Sequence, residues 1–154
     1  MKVYLIQHGR AKSEEEDPAR PLSNEGIEDV NKTALFLKNQ DIKVHAIIHS
    51  EKLRTKQTAK ILSDVVKSSK GLEEMEWLKP NDNVNIMGDF IKNQINNDLM
   101  LVGHLPYMDK LSALLITGNE EGGIVKFQQG AVVCLERQEN DKFELCWMII
   151  PDIV

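Results

Sequence analysis

Three short segments of this 154-residue chain carry side chains suited to holding an anion. Gln7-His8-Gly9-Arg10 follows the run KVYLI, His49-Ser50-Glu51-Lys52-Leu53-Arg54 follows VHAII, and Gly103-His104-Leu105-Pro106 follows LMLV. Each preceding run is short, apolar and rich in β-formers, so it reads as a strand: residues 2–6, 44–48 and 99–102. In an open α/β sheet, ligands gather beyond the carboxyl ends of the strands. That rule brings His8, Arg54 and His104 to one edge of the sheet from distant parts of the chain. Each segment leads into a helix start or a glycine-containing loop, and helix N-termini offer free N–H groups and a favourable dipole end to an anion. The constellation describes an oxyanion site built around two imidazoles. Taken singly, each residue has a plainer reading, His8 as a polar loop residue and Arg54 as a solvated helix charge. Their joint placement, with Gly9 and Gly103 allowing close approach beside the imidazoles, is what favours chemistry.

The elements that must position these residues can be read from hydrophobic spacing. Ser23 is a candidate N-cap for a helix over 24–40, where Ile27, Val30, Ala34 and Leu37 recur at helical intervals. Residues 52–67 read as a second helix with Leu53, Ile61, Leu62, Val65 and Val66 on its apolar side. A charged connection, Ser68 to Asn83, precedes a helix over 84–95, and Pro106 suits the first position of a helix running to Ile116. The tail changes character: IVKFQ, AVVCLER and KFELCWMII are strand-like, with Asn140-Asp141 at a hairpin turn between the last two. The order β-α-β-α-α-β-α-β-β-β points to a three-layer α/β/α sandwich, with a mostly parallel central sheet and antiparallel C-terminal edge strands. The length suits one domain over residues 1–154.

Composition excludes several classes. Hydrophobic residues at 42% and charged residues at 28% describe a globular chain, not a disordered or fibrous one. The net charge of −5 argues against general nucleic-acid binding, which needs a basic face to release counterions. No apolar run approaches the roughly 18 residues of a membrane span. The N-terminus lacks the features of a secretion signal, so the expected location is cytoplasmic. Cys134 and Cys146 sit in apolar runs without metal-ligand spacing and read as buried structural thiols. Trp77 and Trp147 read as core or edge packing, Glu14 to Asp17 as a solvated loop face, and His45 and His49 as structural.

At these residues the chain resembles the histidine phosphatase superfamily, which includes the phosphoglycerate mutases, and within it the small SixA-type phosphohistidine phosphatases. Gln7-His8-Gly9 stands at the family's RHG motif. Arg20-Pro21-Leu22-Ser23 with Gly26 is similar to the RPLT/S-x-x-G stretch. Ser50 to Ala59 is similar to S-x-x-x-R-x-x-Q-T-A, and Gly103-His104-Leu105-Pro106 to the second histidine motif. The resemblance implies a phosphoglycerate mutase-like fold and a metal-independent, cofactor-free phosphatase. In it His8 is the nucleophile, forming a phosphohistidine intermediate that water hydrolyses. Its second ring nitrogen carries the proton, held by a nearby backbone carbonyl. Arg54 holds phosphoryl oxygens, and His104 stabilises charge on the group in transfer. Gln7, Gly9, Arg20 and Ser50 complete the phosphate or substrate pocket, which should accept a phosphate or sulfate anion.

Two departures bear on substrate. Gln7 replaces the motif arginine and brings no charge, which leaves room for a catalytically weak phosphate- or phosphoprotein-binding module. The acid that larger phosphomonoesterase members carry in mid-chain has no secure equivalent among Glu73, Glu74 and Glu76, and Trp77 stands near its place. An alkoxide leaving group needs a proton, whereas imidazole, whose conjugate acid titrates near about 6.5, needs much less help. The expected substrate is phosphohistidine on a signalling or phosphotransfer protein. The alternative is a small phosphorylated molecule on the same scaffold.

Overall fold

The computed structural model describes residues 1–154. In chain order the elements are β1 (Lys2–Gln7), α1 (Asn24–Asn39), β2 (Lys43–Val44), β3 (Ala46–His49), α2 (Leu53–Ser63), β4 (Lys67–Ser68), β5 (Leu72–Glu74), α3 (Val84–Lys92), β6 (Leu99–Gly103), α4 (Tyr107–Thr117), β7 (Val132–Arg137) and β8 (Phe143–Ile149). Six strands form the main sheet in the order β5-β3-β6-β1-β7-β8, and β2 pairs separately with β4. The first four are mutually parallel, and β7 and β8 are antiparallel additions. This is the expected mixed sheet. β1 lies in its interior, hydrogen-bonded to β6 on one side and β7 on the other.

Alternation along the strands divides the core. Val3, Leu5, Ile48, Leu99 and Leu101 face α3 and α4, meeting Val84, Met87, Ile91, Tyr107 and Leu111. Tyr4, Ile6, Ile47, Met100 and Val102 face α1 and α2, meeting Val30, Ala34, Leu37, Ala59 and Leu62. Near-continuous apolar strands are what a sheet covered on both faces requires. Ser23 caps α1 as expected, its Oγ accepting from the Gly26 N–H at 3.0 Å. No helix is long and apolar enough to cross a membrane.

Several expectations need correction. The run IVKFQ forms no strand: β1 already has two partners and β7 pairs with β8, so the sheet offers it no neighbour. Its alternation instead seats Val125 and Phe127 in the core below α4. The charged connection holds an edge strand, β5, on which Glu73 and Glu74 lie beside β3. The second and third helices end earlier than expected, at Ser63 and Lys92. The strand expected over 44–48 is interrupted at His45, whose backbone N–H bonds to Asp98 O. The buried face of α2 is Thr55, Thr58, Ala59 and Leu62, while Leu53 is exposed. Cys146 is also exposed, because a bulge shifts the β7–β8 register between Cys134 and Leu135 and turns it outward. Trp77 is exposed, whereas Trp147 packs against Tyr4 and Phe36 as expected.

Candidate active site

Register explains why the two imidazoles meet. Gln7 on β1 is paired with Gly103 on β6, and His8 N donates to Gly103 O at 3.0 Å. One residue beyond that pair, His8 and His104 leave neighbouring parallel strands at the same level. Their rings lie with centroids 5.0 Å apart, edge to face. His49, at the end of β3, pairs with Val102, which sets Ser50 beside the same gap. Arg54 then enters from the first turn of α2. His8, Ser50 and His104 are buried, and Arg54 is half-buried.

The hydrogen bonds define the state of His8. Its Nδ1 lies 2.7 Å from Gly9 O. A carbonyl oxygen only accepts, so Nδ1 carries the proton. Nε2 accepts from Arg54 Nε at 3.2 Å and is therefore unprotonated, its lone pair directed at the guanidinium. Gly9 N donates to Thr58 Oγ1 at 3.1 Å, which pins the loop after β1 to α2. A side chain on Gly9 would collide with Val30 Cγ2 and crowd Gly26 O, so glycine here serves a close approach of backbone to helix. On the other side, His104 Nε2 lies 2.7 Å from Ser50 Oγ, while His104 Nδ1 is buried without a partner.

The remaining expected residues are placed as follows. Arg20 has φ 48° and donates from Nε to Lys12 O at 3.2 Å, and its charge reaches His8, Arg54 and His104. Arg10 pairs with Glu25 in the first turn of α1 at 2.6 Å. Gln7 is buried with Oε1 unpartnered. It lines a cleft of about 340 Å³ together with Arg10, Asp29, Leu105, Phe127 and Gln128. Thr55, Thr58 and Gln57 were not singled out from the sequence. Gln57 Oε1 accepts from Leu22 N at 2.7 Å, tying the Arg20–Ser23 stretch to α2. Their signal was that Thr55 and Thr58 stand at positions where an inward helix face would be apolar.

Burial sets the electrostatics. Taking His8 out of water lowers its pKa to about 4, with Arg54 and Arg20 pushing the same way and the Gly9 carbonyl opposing. His104 falls to about 3, again chiefly through burial, with His8, Arg54, Lys52 and Arg20 adding to it. Both rings are neutral at pH 7, as a nitrogen nucleophile must be. Folding stability follows from the same shifts. Unfolded imidazoles protonate near about 6.5, so from there down toward about pH 4 the unfolded chain binds more protons. The stability held by the two neutral rings is complete above about pH 6.5 and is lost as the pH falls through that window. The urea midpoint of the protein should climb between about pH 4.5 and 7, and His104→Gln should flatten the climb. An equal climb in the variant would show that burial of His104 is not its source.

Comparison with known proteins shows the family and the fold. The profile of the histidine phosphatase superfamily (branch 1) matches residues 3–82. Phosphohistidine phosphatase SixA of Escherichia coli (strain K12) is 24% identical over 155 residues, covering 98% of this chain and 94% of that protein. The solved structure of the protein histidine phosphatase SixA complexed with tungstate superposes with a TM-score of 0.87 at 24% identity, over 99% of this chain and 98% of that one. Phosphoserine phosphatase from Entamoeba histolytica in complex with 3-phosphoglyceric acid superposes with a TM-score of 0.72 at 15% identity, over 96% and 95%.

Proposed function

Because the chain belongs to the histidine phosphatase superfamily, we propose that it is a metal-independent phosphatase in which His8 Nε2 attacks phosphorus and a phosphohistidine intermediate is hydrolysed by water. The observation that carries this reading is the His8 ring itself. Gly9 O at 2.7 Å holds the proton on Nδ1, which leaves Nε2 unprotonated, facing Arg54 Nε at 3.2 Å with the His104 ring beside it. Arg54 supplies positive charge and donors to the phosphoryl oxygens, where a planar guanidinium suits their geometry. Arg20 adds charge at the entrance, and the Gly9 turn lets the group approach closely.

The substrate class proposed is a phosphoramidate, phosphohistidine on a protein, in keeping with the name of the relative phosphohistidine phosphatase SixA. What supports this is the state of the two carboxylates on β5. Glu73 pairs with Lys70 at 3.4 Å and Glu74 with Lys56 at 2.6 Å. The Lys56 ammonium hydrogen-bonded to Glu74 holds its carboxyl below the usual range, the opposite of what a general acid at neutral pH requires. The charges acting on His8 and His104 come from Arg20, Lys52, Arg54 and the other imidazole, with no carboxylate among them. An imidazole leaving group tolerates this site and an alkoxide does not.

Turnover of a phosphoramidate, an aryl phosphate and an alkyl phosphate tests the proposal. A missing general acid should leave the alkyl ester slower than the phosphoramidate by about 10²–10⁴-fold. Equal rates would reject the substrate class and favour a small-molecule phosphomonoesterase. Binding of phosphate with no turnover of any of the three would favour the phosphate-binding module that the uncharged Gln7 allows.

A further inference from the structure

The hydroxyls around His104 have a proton arrangement that can be worked out by counting. Thr55 Oγ1 lies 2.6 Å from Lys52 O, Ser50 Oγ lies 2.9 Å from Thr55 Oγ1, and His104 Nε2 lies 2.7 Å from Ser50 Oγ. Each hydroxyl has one proton to give. If Thr55 donates to Lys52 O and Ser50 donates to Thr55, then Nε2–H donates to Ser50, and all three short contacts hold a proton. If Ser50 instead donates to Nε2, one oxygen pair at 2.6 or 2.9 Å is left with lone pairs facing each other. Thr55 Oγ1 also lies 2.9 Å from Ser50 O, but its one proton can serve that carbonyl only by leaving Lys52 O at 2.6 Å, so the count still favours a proton on Nε2. The first arrangement is therefore favoured. It leaves His104 Nδ1, buried and without a partner, as the nitrogen free to act.

We propose that the Thr55–Ser50 hydroxyl chain keeps the His104 proton on Nε2, so that Nδ1 meets a bound phosphoryl group as an acceptor and that group enters with one proton. This deepens the function proposed above and rests on it. A phosphoryl dianion would set oxygen lone pairs against the Nδ1 lone pair. A monoanion places a P–O–H on Nδ1, and a dianion must take one proton from solvent, shared between oxygen and Nδ1, to reach the same complex. No covalent bond to phosphorus changes in this step. The groups facing His104 are His8 from the loop after β1, Arg54 and Lys52 from the start of α2, and Arg20 from the loop before α1. None of them is anionic, so only the incoming group can stabilise the added proton. Ser50 and Thr55 are positioning residues that select the charge state of the substrate.

The test uses the intact protein, with ¹⁵N-labelled imidazoles and inorganic phosphate as the probe. The spectrum of the free protein should show His104 protonated on Nε2. Calorimetry at about pH 8, where phosphate is mostly dianionic, in two buffers of different ionisation enthalpy should show uptake of about one proton per phosphate bound. Thr55→Val frees the Ser50 hydroxyl to donate to Nε2, and uptake should fall toward zero. Thr55→Ser should restore it. A proton on Nδ1 in the free protein, or unchanged uptake in a folded Thr55→Val, overturns the proposal. Phosphate that leaves the His8 and His104 resonances unmoved would instead overturn the functional reading. In that case the spectrum of the free protein still decides whether the hydroxyl chain sets the tautomer.

Discussion

His8→Ala should lose all covalent labelling. Protein incubated with a phosphodonor and quenched should carry acid-labile, alkali-stable phosphate, and the variant should carry none. Turnover should fall by on the order of 10⁶-fold, the scale on which removal of a nucleophile disables a catalytic unit. The loss is large because the neighbours cannot substitute. Arg54 stays protonated at any working pH, Ser50 Oγ is committed to Thr55 and His104, and the His104 Nδ1 lone pair is taken up by the protonated phosphoryl oxygen in the arrangement proposed above. The fold should persist, since the backbone N–H of His8 still bonds to Gly103 O and that of Gly9 still bonds to Thr58. Circular dichroism and a urea midpoint measured above pH 6.5 check this. Label retained by the folded variant would remove His8 from the role of nucleophile.

Arg54→Met should cost about 10³–10⁵-fold in kcat/KM, the range seen when an arginine that neutralises a transferring phosphoryl group is removed. Methionine keeps much of the apolar stem, so the half-buried position should remain packed and the stability change small. Two losses combine. The phosphoryl oxygens lose a charged fork, and His8 Nε2 loses the donor 3.2 Å away that aims its lone pair. Arg54→Lys should recover little, because an ammonium is a point charge without the planar fork. A lysine variant within tenfold of the parent would mean that charge alone is needed and that the Arg54–His8 bond has no part in catalysis. The pH profile adds an independent check. Arg54 and Arg20 both disfavour a proton on His8, so Arg54→Met should move the acid limb of kcat/KM upward from about 4.

Much of the candidate site could be read from short-range pattern. His8, Ser50 and His104 each follow a strongly apolar run, and strand ends of a parallel sheet lie along one edge by geometry. What escaped notice was polar material in places reserved for apolar side chains. Thr55 and Thr58 fill the inner face of α2 because that face looks onto the Ser50 hydroxyl and the Gly9 backbone N–H as well as onto core. β5 was hidden because a three-residue edge strand carrying two glutamates has no apolar signature, and edge strands are commonly charged. IVKFQ misled for the opposite reason: its period of two is real, but a strand needs a free neighbour as well as a pattern. Cys146 depended on a one-residue bulge, which inverts inside and outside without any local sequence cue.

The interior position of β1 has a consequence for synthesis on the ribosome. β1 emerges well before its partners β6 and β7, so His8 cannot be seated until the chain has grown past Gly103. At ordinary elongation speeds that delay is roughly 5–20 s, during which an apolar strand with two bare edges waits in the open. Such a nascent segment invites chaperone capture, and no translation intermediate that stops short of β6 can carry the paired imidazoles.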